Sequence, residues 1–247
     1  MNFQRYKYFI VAGLFSAILS ACGGGGGGSS STSSSTSVAP SDYVSQIVAP
    51  NAISFSVQQV AGGNVNTPYV SVEVCQPGTS KCQIISNVLL DTGSTGLRLF
   101  SSTISNLQLS NQTINNSSLL ECASFISGVT WGPVKVADVK LGLETARSIP
   151  IQVIADPPYS SVPSYCSNGL PTLQNPSALR ANGILGVGLF IADGQEYYSC
   201  SSTQAANCSP VTITPTMQVQ NPVASFAVNN NGVVLQLAKV SNTGGIS

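Results

Sequence analysis

The stretch that decides the fold is V-L-L-D-T-G-S, residues 88–94. Three apolar residues run directly into Asp91, Thr92, Gly93 and Ser94, a pattern typical of a buried strand that ends in a tight polar turn. Alone, Asp-Thr-Gly is a weak signal, because it arises by chance in roughly one chain in twenty of this length. Asp91 would then only bond nearby backbone amides. The surrounding sequence has to distinguish a plain turn from a functional site.

A second segment, N-G-I-L-G-V-G, occupies residues 182–188. In this order and spacing the two motifs resemble the N-terminal lobe of pepsin-like aspartic proteases. In that family a hydrophobic-hydrophobic-Asp-Thr-Gly-Ser loop is followed by a Gly-Ile-Leu-Gly-Leu-Gly segment that packs beneath it. The resemblance covers residues 52–240. It implies an all-β chain that is the N-terminal lobe only of such a fold, and the cysteine pairs discussed below would make this lobe disulfide-stabilised.

The resemblance also implies roles for individual residues. Asp91 would be one of two catalytic aspartates, which share one proton because two close carboxylates cannot both ionise. The ionised aspartate would activate a water molecule and the protonated one would polarise the peptide carbonyl. Ser94 would bond the outer oxygen of Asp91, and Thr92 would reach toward its counterpart in the other lobe. The residues expected to support the loop are Thr92, Gly93, Ser94, Gly183 and Gly186, although the last two could equally be plain turn or bulge glycines.

Residues 125–142 take the place of the family's flap hairpin and the strand after it, but the Tyr-Gly-x-Gly pattern of the flap is absent. Phe125 and Trp131 are the flap candidates. Trp131 could cap a substrate, although a lone aromatic beside a Gly-Pro corner is more often part of the core. Arg98 stands where the family has a large apolar residue, and we expect it at the surface. An Asn/Gly-containing hairpin is predicted over residues 226–237.

The second aspartate of the mechanism has no match in this chain. None of the remaining aspartates is preceded by an apolar strand and followed by Thr-Gly or Ser-Gly. They are Asp42, Asp138, Asp156 and Asp193. Three explanations remain: a second lobe lies beyond Ser247, two copies form a homodimer, or the protein is not a protease. We favour a chain truncated before a second lobe, because a two-lobed enzyme needs many more residues.

The N-terminus reads as an export signal. Residues 1–22 have a positive start and an apolar stretch too short to span a bilayer, ending in Leu-Ser-Ala-Cys. This ending resembles the lipobox of bacterial lipoproteins, with Cys22 as the lipidated residue. Residues 23–41 form a Gly/Ser-rich flexible tether, and residues 42–247 form the β-rich lobe. By resemblance to other lipoproteins, Gly23 after the cysteine implies sorting to an outer membrane. We therefore predict a lipid-anchored protein of the cell envelope.

The amino-acid composition limits the binding partners and catalytic sites that this chain can have. Only 7% of residues are charged and the net charge is zero, so nothing favours binding to nucleic acid. The chain has no histidine, which excludes a Ser-His-Asp triad, a Cys-His dyad and an H-E-x-x-H zinc site. Any general acid–base catalysis in this chain would have to use carboxylates, Lys, Tyr or Cys. We expect no metal and no cofactor, because the reaction implied above uses only water and carboxylates.

Six cysteines remain after Cys22, an even number that suits an oxidising compartment. Two pairs are close in sequence and flank a turn or a polar loop, which leaves the last two for each other. The predicted disulfides are Cys75–Cys82, Cys200–Cys208 and Cys122–Cys166. A metal site is the alternative, but neither C-x-x-C spacing nor histidine favours it.

Three functional hypotheses follow. The leading one is a cell-envelope aspartic endopeptidase that acts on a peptide or protein substrate, with this chain inactive alone unless it self-associates. The second is a catalytically inactive pepsin-fold protein whose cleft binds peptide or glycan. The third is a structural surface lipoprotein whose Asp-Thr-Gly-Ser is accidental. The whole chain also resembles a family of exported bacterial proteins of unassigned function.

Overall fold

A computed structural model describes residues 51–58 and 66–237. The predicted signal peptide at residues 1–22, its lipidation site Cys22, the tether at residues 23–41 and Asp42 lie outside the described residues. Within the described part, no helix has the length and apolar character needed to cross a bilayer.

The described residues are mostly β-structure, as predicted. The strands are β1 (Phe55–Gln58), β2 (Thr67–Cys75), β3 (Cys82–Asp91), β4 (Thr95–Phe100), β5 (Thr113–Ile114), β6 (Ser117–Phe125), β7 (Gly128–Leu141), β8 (Glu144–Ile154), β9 (Gly183–Val187), β10 (Glu196–Cys200) and β11 (Cys208–Pro210). Two single-turn helices, α1 (Ser164–Ser167) and α2 (Pro176–Leu179), lie between β8 and β9. Short 3-10 turns occur at Ser101–Thr103, Pro157–Tyr159, Ala205–Asn207, Pro215–Met217 and Pro222–Ser225.

Six of these strands close into a barrel. The order is β2-β3-β9-β4-β8-β7, and β7 pairs again with β2. Val70, Val72 and Val74 of β2 are buried in its core, because alternate residues of a strand face the same side of the sheet. Closure removes the open edges that a flat sheet of this size would expose to other chains. The barrel is therefore a rigid frame for the loops at its ends.

A long strand, β7, connects the barrel to a second sheet. Its first part, up to Pro133, pairs with β6, and its later part, from Val134, pairs with β8. At residues 131–133, the Trp-Gly-Pro segment, the strand continues and changes its partner from β6 to β8. β6 and β7 form a hairpin that turns at residues 126–127, and β10 and β11 extend the second sheet beyond β6.

All three predicted disulfides are confirmed. Two of them join directly opposed residues of neighbouring strands, and the third ties β6 to α1. The pairs are Cys75–Cys82, Cys200–Cys208 and Cys122–Cys166. Covalent cross-links of this kind stabilise a domain chiefly by restricting its unfolded state.

The hairpin predicted over residues 226–237 is wrong. Residues 226–237 contain no strand, and Phe226 is the last buried apolar side chain in that segment. Val234 is 93% exposed and Leu237 is 67% exposed. An alternating apolar pattern predicts a strand only if one face can pack on a core, and here the apolar side chains meet none.

Candidate functional site

The loop at residues 91–94 lies across the end of a central barrel strand. It joins β3 to β4, yet these two strands do not pair with each other. β9 lies between them, parallel to β3 and antiparallel to β4, and Gly186 is opposite both Asp91 and Gly96. The carboxylate of Asp91 therefore stands at the end of a three-stranded frame.

Glycines in β9 allow this loop to approach closely. A β-carbon on Gly186 would lie 2.7 Å from the carbonyl carbon of Ser94, and one on Gly183 would lie 2.2 Å from the carbonyl oxygen of Arg98. The backbone N–H of Gly188 donates to the Ser94 carbonyl at 2.8 Å. The structure thus brings Gly183 and Gly186 against the loop and the strand that follows it. Their sequence spacing was the signal that found them.

Asp91 is half-exposed, and the backbone N–H of Gly93 donates to its Oδ1 at 2.8 Å. Thr92 is exposed. The Oγ of Ser94 is buried and has no hydrogen-bond partner among the described residues, so it does not bond Asp91 as the resemblance implied. A carboxylate held by one N–H and open to water can accept a proton from a water molecule or bind a ligand's donor.

Arg98 is not at the surface, contrary to the prediction. It is 1% exposed, and its Nη2 contacts two carboxylates, those of Glu121 on β6 and Asp193 in the loop after β9. Its Nη1 donates to the Thr95 carbonyl at 2.8 Å. A buried guanidinium is tolerated only when opposite charges and acceptors surround it, and these contacts supply them.

Tyr197 on β10 completes this group, which we call the Arg98 cluster (Arg98, Glu121, Asp193 and Tyr197). Its hydroxyl donates to Asp193 Oδ1 at 2.7 Å and accepts from the backbone N–H of Val219 at 2.8 Å. Burial raises the pKa of Tyr197, so the hydroxyl keeps its proton. Burial also works against the charge of Arg98, but Glu121 and Asp193 outweigh it and raise the pKa of Arg98.

Sequence reasoning missed the Arg98 cluster, although a signal existed. Arg98 stands between two leucines, and Glu121 stands within L-L-E-C-A at residues 119–123. A single charge inside an apolar strand of a protein with few charges indicates a buried, paired group. The partners themselves are distant in sequence and could not be identified from this pattern.

The two flap candidates occupy different environments. Phe125 stands at the tip of the β6–β7 hairpin, with its ring centroid 5.5 Å from the guanidinium carbon of Arg98. Trp131 is 1% exposed and packs edge-on against the rings of Tyr165 and Tyr198. Trp131 therefore belongs to the core and does not cover a cleft, whereas Phe125 remains at the hairpin tip.

An exposed apolar segment directly follows the glycines of β9. Leu189 is 100% exposed, Phe190 74% and Ile191 62%. The segment begins beside the Asp91 loop, because Gly188 is bonded to the Ser94 carbonyl. Three consecutive apolar side chains in water are unusual for a loop and mark a candidate contact surface. The exposure of this segment was not predicted from the sequence.

Only one group of potential metal ligands occurs within residues 51–58 and 66–237, formed by Glu73, Cys75 and Cys82. Its two sulfur atoms are joined in a disulfide, so neither can serve as a thiolate ligand. This group has the wrong chemistry for a metal site.

Comparison with protein families matches residues 47–247 to the family described as "Protein of unknown function (DUF3443)". A search of curated proteins found no match to the chain. The family match covers the whole barrel, the second sheet and the Asp91 loop. The chain belongs to the DUF3443 family of proteins of unknown function.

Proposed function

We propose that this chain is an aspartic-endopeptidase-like lobe with Asp91 as one of two catalytic carboxylates. The reaction would be hydrolysis of a peptide bond in a peptide or protein substrate. The second carboxylate would come from another lobe or, less favoured, from a second copy in a homodimer. No cofactor enters this mechanism, because the carboxylate pair and a water molecule carry it.

The observation that supports the proposal is that the loop at residues 91–94 lies across the end of β9. Asp91 is the last residue of β3, it is half-exposed, and its position is fixed by the backbone N–H of Gly93. The close approach of Gly186 to Ser94 leaves the loop little freedom. Such a carboxylate is held on rigid strands and open to a substrate, which is what acid–base catalysis requires.

The N-terminal sequence supports a location for this activity. A signal peptide, a lipidated Cys22 and a Gly/Ser tether would hold the lobe at the cell envelope, anchored by lipid to a membrane, most simply the outer one. Three disulfides in the folded part agree with an oxidising compartment. The zero net charge gives no reason to expect a nucleic-acid partner.

A second candidate function is a binding module of the same fold without activity. The unpartnered Oγ of Ser94 favours it, because Asp91 then lacks the side-chain hydrogen bond that the resemblance assigns to a working carboxylate. The exposed apolar segment at residues 189–191 would then contribute to the ligand contact. A structural surface role is the third alternative.

The test uses the full-length protein and its Asp91→Asn variant. We would follow cleavage of casein from about pH 3 to about pH 7, with and without pepstatin. The proposal expects cleavage by the wild type, inhibition by pepstatin and loss of cleavage in D91N. Two well-folded proteins that both leave casein intact would overturn it in favour of the binding module.

The matched control is Glu144→Gln, which also removes one carboxylate charge. Glu144 begins β8, and its Oε1 accepts from the side chain of Asn229 rather than from the Asp91 loop. E144Q should cleave as the wild type does. Equal loss in both variants would show that the effect of D91N is not specific to this loop.

A further inference from the structure

We propose that Glu121 and Asp193, which both contact Arg98, share one carboxyl proton, and that this proton-dependent cluster clamps the β6–β7 hairpin to the loop at residues 188–195. The clamp is independent of the proposed function, because none of its members touches a substrate in that proposal. It requires only that the two carboxylates are neighbours, that water is excluded, and that they belong to different structural elements.

The two carboxylates are neighbours because they contact the same nitrogen atom. Glu121 Oε1 and Asp193 Oδ2 both lie against Arg98 Nη2. The three side chains are 1% exposed or less. One positive charge cannot neutralise two buried negative charges, and an excess charge without water is costly. A single proton on one carboxyl group restores neutrality.

The hydrogen bonds place that proton on Glu121. Both oxygens of Asp193 already accept, from Arg98 Nη2, from the Tyr197 hydroxyl at 2.7 Å and from the Gln195 N–H at 3.3 Å. Glu121 Oε2, in contrast, is buried without any partner among the described residues. A proton on Oε2 would allow Glu121 to donate a hydrogen bond to Asp193. Burial raises the pKa of Glu121 well above its ordinary value, although the charge of Arg98 acts in the opposite direction.

The cluster joins three elements around the Asp91 loop. Arg98 lies on β4, Glu121 on a strand of the hairpin, and Asp193 on the loop after β9. Two further contacts cross the same junction: Phe125 packs on Arg98, and the Gln195 side chain accepts from the Ser124 N–H at 3.0 Å. On the remaining sides, Tyr197 faces from β10, and Gln152 of β8 donates to the Glu121 carbonyl at 2.9 Å. Loss of the proton would therefore weaken the contact between hairpin and loop.

The pH dependence has a definite sign. Below about pH 4.5, Glu121 is protonated in both the folded and the unfolded chain, and the clamp contributes fully. As the pH rises, Glu121 releases its proton in the unfolded chain but keeps it in the folded chain. The free energy of unfolding therefore falls with pH until the pKa of Glu121 in the folded chain is passed. No histidine titrates in this range, because the chain has none.

The first measurement is the Tm of the 247-residue chain between about pH 5 and about pH 8, monitored by the fluorescence of Trp131. Trp131 is the single tryptophan and is opposite Cys122, the neighbour of Glu121. We expect Tm to fall by at least about 3 °C as the pH rises. A Tm that stays constant or rises over this range would overturn the proposal without any variant.

The matched variants are Glu121→Gln and Asp193→Asn. In E121Q the amide reproduces the protonated acid, so the variant should equal the wild type at pH 5 and lose the fall in Tm toward pH 8. In D193N the new N–H₂ group replaces an acceptor and must face a hydrogen-bond donor, either Arg98 or Tyr197. The Tm of D193N should therefore be lower than that of E121Q at every pH in this range. A Tm of E121Q at pH 5 as low as that of D193N would show that Glu121 is ionised and contradict the proposal. The carboxylic-acid infrared band at neutral pH should be weaker in E121Q than in wild type.

Discussion

The Asp91 loop and the Arg98 cluster, whose arginine follows the loop by a few residues, are built in opposite ways. The loop depends on backbone proximity, with Gly186 against Ser94, and it leaves its carboxylate half-exposed with one hydrogen bond. The cluster depends on charged side chains that are fully buried and that contact one another. A rigid backbone frame can leave a reactive group open to solvent, whereas buried charges fix neighbouring elements in place.

The largest expected effect is that of Arg98→Met. Removal of the guanidinium leaves the buried carboxylate of Asp193, beside protonated Glu121, without a counter-charge. This should lower the free energy of unfolding by about 3–5 kcal/mol. Denaturant unfolding measures this directly. The control is Arg147→Met, because Arg147 is exposed and its loss should change stability by less than about 0.5 kcal/mol. Similar small effects in both variants would show that Arg98 does not hold the cluster together.

Gly186→Ala is expected to cost about 3 kcal/mol, because its β-carbon would meet the backbone of Ser94 and Thr95 at 2.7 Å. The comparison variant is Gly78→Ala. Gly78, unlike Gly186, has a positive φ (+69°), and no atom lies within 4 Å of an added β-carbon. It should cost only about 1 kcal/mol. An equal loss of unfolding free energy in the Gly186→Ala and Gly78→Ala variants would mean that the loop is not packed on β9 as described.

Phe125→Leu should have a smaller effect of about 1 kcal/mol or less, because it removes one cation–π contact and keeps an apolar side chain at the hairpin tip. Its measurement is hydrogen exchange of the amides in residues 121–129. Exchange should rise in this hairpin and remain unchanged in the barrel strands β2 and β3. A uniform rise would contradict a local role for Phe125.

The sequence predicted the parts of this molecule that depend on local pattern. The end of β3 was recognised from its apolar run, the three disulfides from spacing, and the β9 glycines from their order after Asp91. Arg98 was placed wrongly because its partners come from β6 and from the loop after β9, and only the fold brings them together. Residues 226–237 were assigned a hairpin because a strand pattern cannot reveal whether a packing partner exists.

The smallest expected effect on stability belongs to the residue with the largest expected effect on function. Asp91→Asn keeps the size of a half-exposed side chain and should change the free energy of unfolding by less than about 1 kcal/mol. The most direct test of the account measures unfolding and casein cleavage on the same D91N preparation of the full-length protein. The account predicts wild-type stability together with loss of cleavage. Cleavage that persists in a folded D91N protein would contradict it.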